Sequence, residues 1–220
     1  MPGDLSAPAP PRLPVRLERK AVETLAHDDV HTEAALSDLD LSEQEASGVD
    51  LRGVTLSNVS LAGARLDKLR VSDGEFTNCE LSNLRGQRVE AARVAIDRSR
   101  LTGVVLEDAS LQDMVVRGCR IDLASFGFSR LARVTFEDCS MAEASFLDAE
   151  LASVAFHGCD LTRADFRGAR LRRCEFRRTD LTYLEGVERL NGAAIDRPGI
   201  VAMADVWAAA LGISVLPDPE

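Results

Sequence analysis

The groups in this 220-residue chain that could do chemistry are five cysteines, three histidines and 36 carboxylates, the last against 26 lysines and arginines. His27 and His31 lie four residues apart beside Asp28, Asp29 and Glu33. That spacing can put two metal ligands on one helix face. A metal centre also needs a third converging ligand and a supporting shell, so the pair reads as solvated histidines near a helix end. His157 has no nucleophile partner in the pattern. The carboxylates Glu107, Asp108, Asp113, Glu137, Asp138 and Asp148 are numerous enough for acid–base work. Such work needs a concave, desolvated site that separates two pKa values, and these acids read instead as a solvated face. No phosphate-binding loop, dinucleotide fingerprint, HExxH or GxSxG occurs. The expectation is a non-enzyme without cofactor or metal.

The elements that position these groups follow from one repeat. Every fifth residue from Leu51 is apolar with few exceptions: Leu51, Leu56, Leu61, Leu66, Val71, Phe76, Leu81, and so on to Phe176 and Leu181. Two residues before each stands another small or apolar residue, such as Val49, Val54, Val59 or Ala64. A spacing of two places both side chains on one side of an extended strand. The next inward pair begins three residues later, so a corner must restore the inward direction. Each five-residue unit is therefore a short wall and a bend.

From Phe126 to Leu181 the central residue alternates between Phe and Leu or Met. Only an even number of walls per coil keeps Phe stacked on Phe. Cys119, Cys139 and Cys159 recur every 20 residues, which points to four walls. All five cysteines (Cys79, Cys119, Cys139, Cys159, Cys174) fall on the inward small position, with no CxxC pair. They read as buried small hydrophobes. Gly86 and Ala91 are small where Leu or Phe belongs, while Leu84 and Val89 are large, which predicts a local irregularity and a much smaller cost for Gly86→Ala than for Phe156→Ala.

The units Cys79-Glu80-Leu81, Cys139-Ser140-Met141, Cys159-Asp160-Leu161 and Ala164-Asp165-Phe166 resemble the pentapeptide-repeat family. The resemblance covers about 27 consecutive units. It implies an all-β solenoid, a right-handed quadrilateral parallel β-helix of about seven coils with short capping helices at both ends. The best-understood members protect DNA gyrase by presenting an acidic, DNA-like rod, so the resemblance implies a DNA-mimicking binder of gyrase or another topoisomerase. The alternative is a scaffolding module with another protein partner.

The surface and the ends complete the reading. Net charge is −10, which opposes direct nucleic-acid or membrane binding. From Thr32 to Asp160 there are 22 acids against 13 bases, whereas Leu161–Glu185 carries seven Arg against four acids. By register Leu123, Phe128 and Leu147 point outward. With Glu107, Asp108, Glu137 and Asp138 they form the candidate partner contact. Residues 1–14, with five prolines, are expected as a disordered tail and 15–35 as a capping-helix region. The β-helix spans 36–185. Residues 186–220 form a strand and helix cap. There Ile200, Ala204, Trp207 and Leu211 share a helix face that covers the core end or joins two copies in a homodimer. The N-terminus has no apolar signal region, so a cytoplasmic protein is expected.

Overall fold

The computed structural model describes residues 5–216. The chain is a solenoid of parallel strands with about nine turns. Strands stack with a register of 20 residues: Asp50–Ser57 on Arg70–Thr77, then Glu90–Asp97, Ser110–Arg117, Arg130–Glu137 and Glu150–His157. Each of these eight-residue strands turns one corner and so supplies two walls. The third wall is Glu45–Ser47, Arg65–Asp67, Arg85–Gln87 and Val105–Glu107, extended by single bridges from Val105 to Glu185. The fourth is a column of bridges from Asp40 to Asp180.

The corner has one conformation throughout. Every fifth residue from Asp28 to Tyr183 has a positive φ, between 48° and 79°. This left-handed residue turns the chain so that two consecutive inward pairs can both face the axis. Gly, Asn and Asp adopt it cheaply, whereas other L-residues are strained there. The main-chain ladders above and below hold the remainder in place.

Inside, the Phe residues occupy two opposite walls. Phe126, Phe146 and Phe166 stack at 5.4 and 4.8 Å, and Phe136, Phe156 and Phe176 at 5.2 and 5.0 Å. The two stacks meet edge to face, Phe146 against Phe156 at 5.7 Å, an arrangement that aromatic quadrupoles favour. All five cysteines are buried and unpaired. Burial pushes the Cys79 and Cys174 thiols up.

Several expectations need correction. Among the described residues there is no N-terminal helix. Glu18–Arg19 is a strand that pairs with Ala34–Ala35, and Leu25 is in the core. A lone helix of about a dozen residues is marginal, whereas a strand satisfies the open edge of the first coil directly. The coil count rises from seven to about nine because corner geometry begins at Asp28, ahead of the regular sequence. At Gly86 and Ala91 the register is unbroken. The core of this half holds an apolar cavity of about 100 Å³ lined by inward residues all the way from Leu25 to Met114, with Leu84, Val89 and Ala91 among them. A Cβ at Gly86 would sit 2.6 Å from Val89 Cγ2 and 2.8 Å from the Leu66 carbonyl oxygen, so substitution there is not free.

The N-terminal tail is also placed, from Leu5 onward; residues 1–4 lie outside the described residues. Its Ala9 and Arg12 amides donate to Asp113 and Asp73 on the rod. At the other end, a 3₁₀ turn (Val187–Leu190) precedes a strand, Ala194–Ile195, which pairs on Glu175–Phe176 with the register shortened to 19. The expected single helix is two, α1 (Arg197–Ala202) and α2 (Ala204–Ala210), broken at buried Met203. Asp196 caps α1 by accepting from the Gly199 amide at 3.0 Å, with Pro198 in the first turn. The strand expected in 186–220 is Ala194–Ile195, whereas residues 213–215 are exposed and form no strand among the described residues, and 217–220 lie outside them.

Candidate functional site

A rod of this kind presents only outward residues and corners to a partner. Outward positions are polar almost everywhere, so the exceptions locate a site. Between Ala34 and Thr182 the exposed large hydrophobics among the described residues are Leu123 and Phe128, at 57% and 60% exposure. Both are corner residues, each with φ 59°. That conformation is shared by every corner of the rod, so exposure rather than backbone sets these two apart.

The two corners flank one wall, whose outward surface carries Val105, Ser125 and Ser145 in one column. Leu147 lies one coil beyond Gly127, and its carbonyl accepts from the Phe128 amide at 2.9 Å. Gly127 is buried, with no side chain to separate Phe128 from Leu147. Directly below and above Phe128 in its corner column stand Asp108 and Asp148, with Glu107 beside Asp108. Among the described residues none of these three acids forms an ion pair, whereas most arginines of the rod do. The result is a short apolar ridge with a carboxylate rim.

The structure thus gathers Leu123, Phe128, Leu147, Glu107 and Asp108. It separates Glu137 and Asp138, which lie at the diagonally opposite corner of the square. Glu137 is moreover paired with Arg117 at 2.8 Å. At the C-terminal end Ile200, Ala204 and Leu211 are exposed and Trp207 is half-buried against the core. Ile200, Ala204 and Trp207 line an open apolar cleft of about 1010 Å³ with Val201, Leu190 and Ile195. Among the described residues the buried Trp207 indole N–H has no hydrogen-bond partner. Two of the three histidines do structural work. His27 Nδ1 accepts from the Ser47 amide at 3.0 Å, and His157 meets Glu175 at 2.9 Å. Among the described residues there is no cluster of three or more His, Cys, Asp or Glu able to hold a metal.

One feature was missed by reading along the chain rather than up it. Taking every twentieth residue at one corner gives Gly53, Asp73, Arg93, Asp113 and Arg133. Arg93 grips Asp73 through two bonds of 2.6 and 2.7 Å, and Arg133 grips Asp113 at 2.6 and 2.8 Å. These guanidinium partners hold both carboxyls below the usual carboxylate range.

The sequence matches the profile of the pentapeptide repeat region over residues 69–146 and 118–185, and that of pentapeptide repeats (8 copies) over 34–70 and 47–83. The chain belongs to the pentapeptide-repeat family. Two solved pentapeptide-repeat folds illustrate the range it is similar to. HetL from the cyanobacterium Nostoc sp. strain PCC 7120, described as involved in heterocyst differentiation regulation, is 18% identical; the match covers 76% of this chain and 87% of HetL, with a TM-score of 0.34. A trypsin-treated variant of QnrB1, described as a plasmid-mediated fluoroquinolone resistance protein, is 18% identical over 91% of this chain and 97% of its own, with a TM-score of 0.42. No curated protein matches the sequence. No helix among the described residues of this pentapeptide-repeat rod is long and apolar enough to cross a membrane.

Proposed function

We propose that this pentapeptide-repeat rod is a non-enzymatic protein-binding module, and that it docks its partner through the Phe128 corner. The observation that carries this reading is the ridge of Leu123, Phe128 and Leu147 rimmed by unpaired Glu107, Asp108 and Asp148 on a polar rod. Exposed aromatic anchors with a charged rim are the usual make-up of an energetic centre in protein contacts. The acids call for a basic partner surface and speed encounter with it.

A DNA gyrase or another topoisomerase, with a basic DNA-binding saddle, is the most concrete partner. The net charge of −10 supports that reading. A second copy docks at the cleft beside Trp207 and Ile200, which makes the working form a dimer. The partner meets the rod in the cytoplasm.

The test is a supercoiling assay with purified gyrase, using the parent chain, Phe128→Asp and the Glu107→Lys/Asp108→Lys pair. Inhibition or protection at micromolar concentration, lost in both variants, supports the topoisomerase reading. No effect at high micromolar concentration discards it. The broader reading then rests on a photo-crosslinker placed at 128. It must capture one defined protein that the same group at 88, two coils away in the same corner column, does not.

A further inference from the structure

The acid–arginine corner and the proline-rich tail share a period. Residues 8–14 read Pro-Ala-Pro-Pro-Arg-Leu-Pro, so only Ala9, Arg12 and Leu13 carry an N–H. Two of those three donate to the corner. The Ala9 amide reaches Asp113 Oδ1 at 3.1 Å, and the Arg12 amide reaches Asp73 Oδ1 at 2.9 Å. Proline fixes φ and pushes the residue before it toward extended backbone, so this segment is preset for a polyproline-II helix. That helix has three residues per turn and rises about 3.1 Å per residue, which puts residues i and i+3 on one edge about 9.3 Å apart. The acceptors alternate with arginines, so Asp73 and Asp113 lie two coils apart, about 9.6 Å at strand spacing. Donor and acceptor periods therefore match.

Further details point the same way. Each carboxylate oxygen that takes a tail amide also takes its arginine's Nε, so the acceptor is ionised and held in place. Farther along, Pro14 lies against Gly53, where a Cβ would come within 3.3 Å of its Cδ. The tail thus crosses from the Asp113 coil to the Gly53 coil in five residues. Three coils at about 4.8 Å make roughly 14 Å, the length of an extended chain and about twice that of an α-helix.

We infer that the corner formed by Gly53, Asp73, Arg93, Asp113 and Arg133 is a recognition track for a polyproline-II peptide that offers an N–H every third residue. Residues 8–14 are its resident occupant, a strap that a proline-rich segment in trans replaces once the strap is released. The tail holds the track by proximity, since tethering gives it an effective concentration in the millimolar range. An incoming peptide must compete with that.

The test uses the full chain carrying Ala9→Pro and Arg12→Pro, which removes both donors and keeps the extended preference. In that chain the amide signals of residues 53, 73, 93 and 113 are expected to shift from their parent positions. Titration with a synthetic peptide of residues 5–16, up to a few millimolar, should return them toward those positions. The same peptide should shift the parent chain at least tenfold less at equal concentration. A second variant, Gly53→Asn in the released chain, keeps a corner that Asn58 and Asn78 show to be acceptable. It should weaken the peptide at least tenfold by blocking the Pro14 position. The inference is overturned if the donor-free tail leaves the corner signals unmoved. It is also overturned if the peptide binds parent and released chains alike, or if Gly53→Asn has no effect.

Discussion

The two halves of the rod obey one register yet are packed differently. From Phe126 onward the core is two interlocked phenylalanine stacks, and Phe146, Phe156, Phe166 and Phe176 are completely buried. From Leu25 to Met114 the inward residues are mostly Leu and Val with Ala91 among them, and they surround the cavity of about 100 Å³. The strap lies along the second of these halves, from Gly53 to Asp113. The first carries the Phe128 ridge. A β-helix makes every coil the template of the next, so a defect in volume is not corrected by a change of register. It remains as an empty space, and the outside of those coils is where the tail adds bonds.

The comparison is sharpest in the core. Phe156→Ala should cost about 4–5 kcal/mol, near the top of the range for such truncations, because the ring is gripped on both sides and edge-on. Phe76→Ala should cost about 3 kcal/mol, since that ring already faces empty space on one side. Urea unfolding of the two variants checks the order, and equal losses would remove the distinction between the halves. Gly86→Ala comes next, at about 1–3 kcal/mol destabilising. The void is near, but the Leu66 carbonyl stands in the way. A neutral result would mean that the backbone there yields.

Depressed carboxyls occur in both halves, and in the carboxyl-terminal one Arg167 and Arg177 lower Asp165 and Glu175. Asp50, Asp73 and Asp113 are depressed by Arg52, Arg93 and Arg133 respectively, and all three belong to the amino-terminal half. Each folded carboxyl therefore binds protons less readily than in the unfolded chain. Its stabilisation is complete above the unfolded carboxylate pKa of about 4 and is lost as pH falls below it. Amide exchange around Asp50, Asp73 and Asp113 should accelerate between pH 5 and pH 3, and Asp73→Asn/Asp113→Asn should reduce that acceleration. The smallest effect expected is a gain: Ala91→Val fills part of the void and should add about 0.5–1 kcal/mol, read as a rise in urea midpoint.

The sequence read along its length was enough for the walls, the four-sided coil and the opposite placement of the Phe stacks, because inward positions are set by apolar burial alone. The α1 cap at Asp196 was also legible, since a capping carboxylate and a first-turn proline act locally. What failed was decided by partners distant in sequence. Leu17, Ala21 and Leu25 have helical spacing, yet the open edge at Ala34–Ala35 claims that segment as a strand. The tail looked disordered because its acceptors lie 61 and 104 residues away. Glu107 and Glu137 looked alike in composition, and only the ladder showed that the second is neutralised by Arg117 and lies at the opposite corner. Reading the corners at intervals of 20 would have found the Asp73–Arg133 column in advance.

The strap supports the loosely packed half. Amide hydrogen exchange on the parent chain and on the Ala9→Pro/Arg12→Pro variant measures that support directly. Strands at 50–57, 70–77, 90–97 and 110–117 should exchange at least several-fold faster in the variant, while those at 130–137 and 150–157 stay unchanged. Equal rates in the two proteins, or an acceleration spread evenly over both halves, would contradict it.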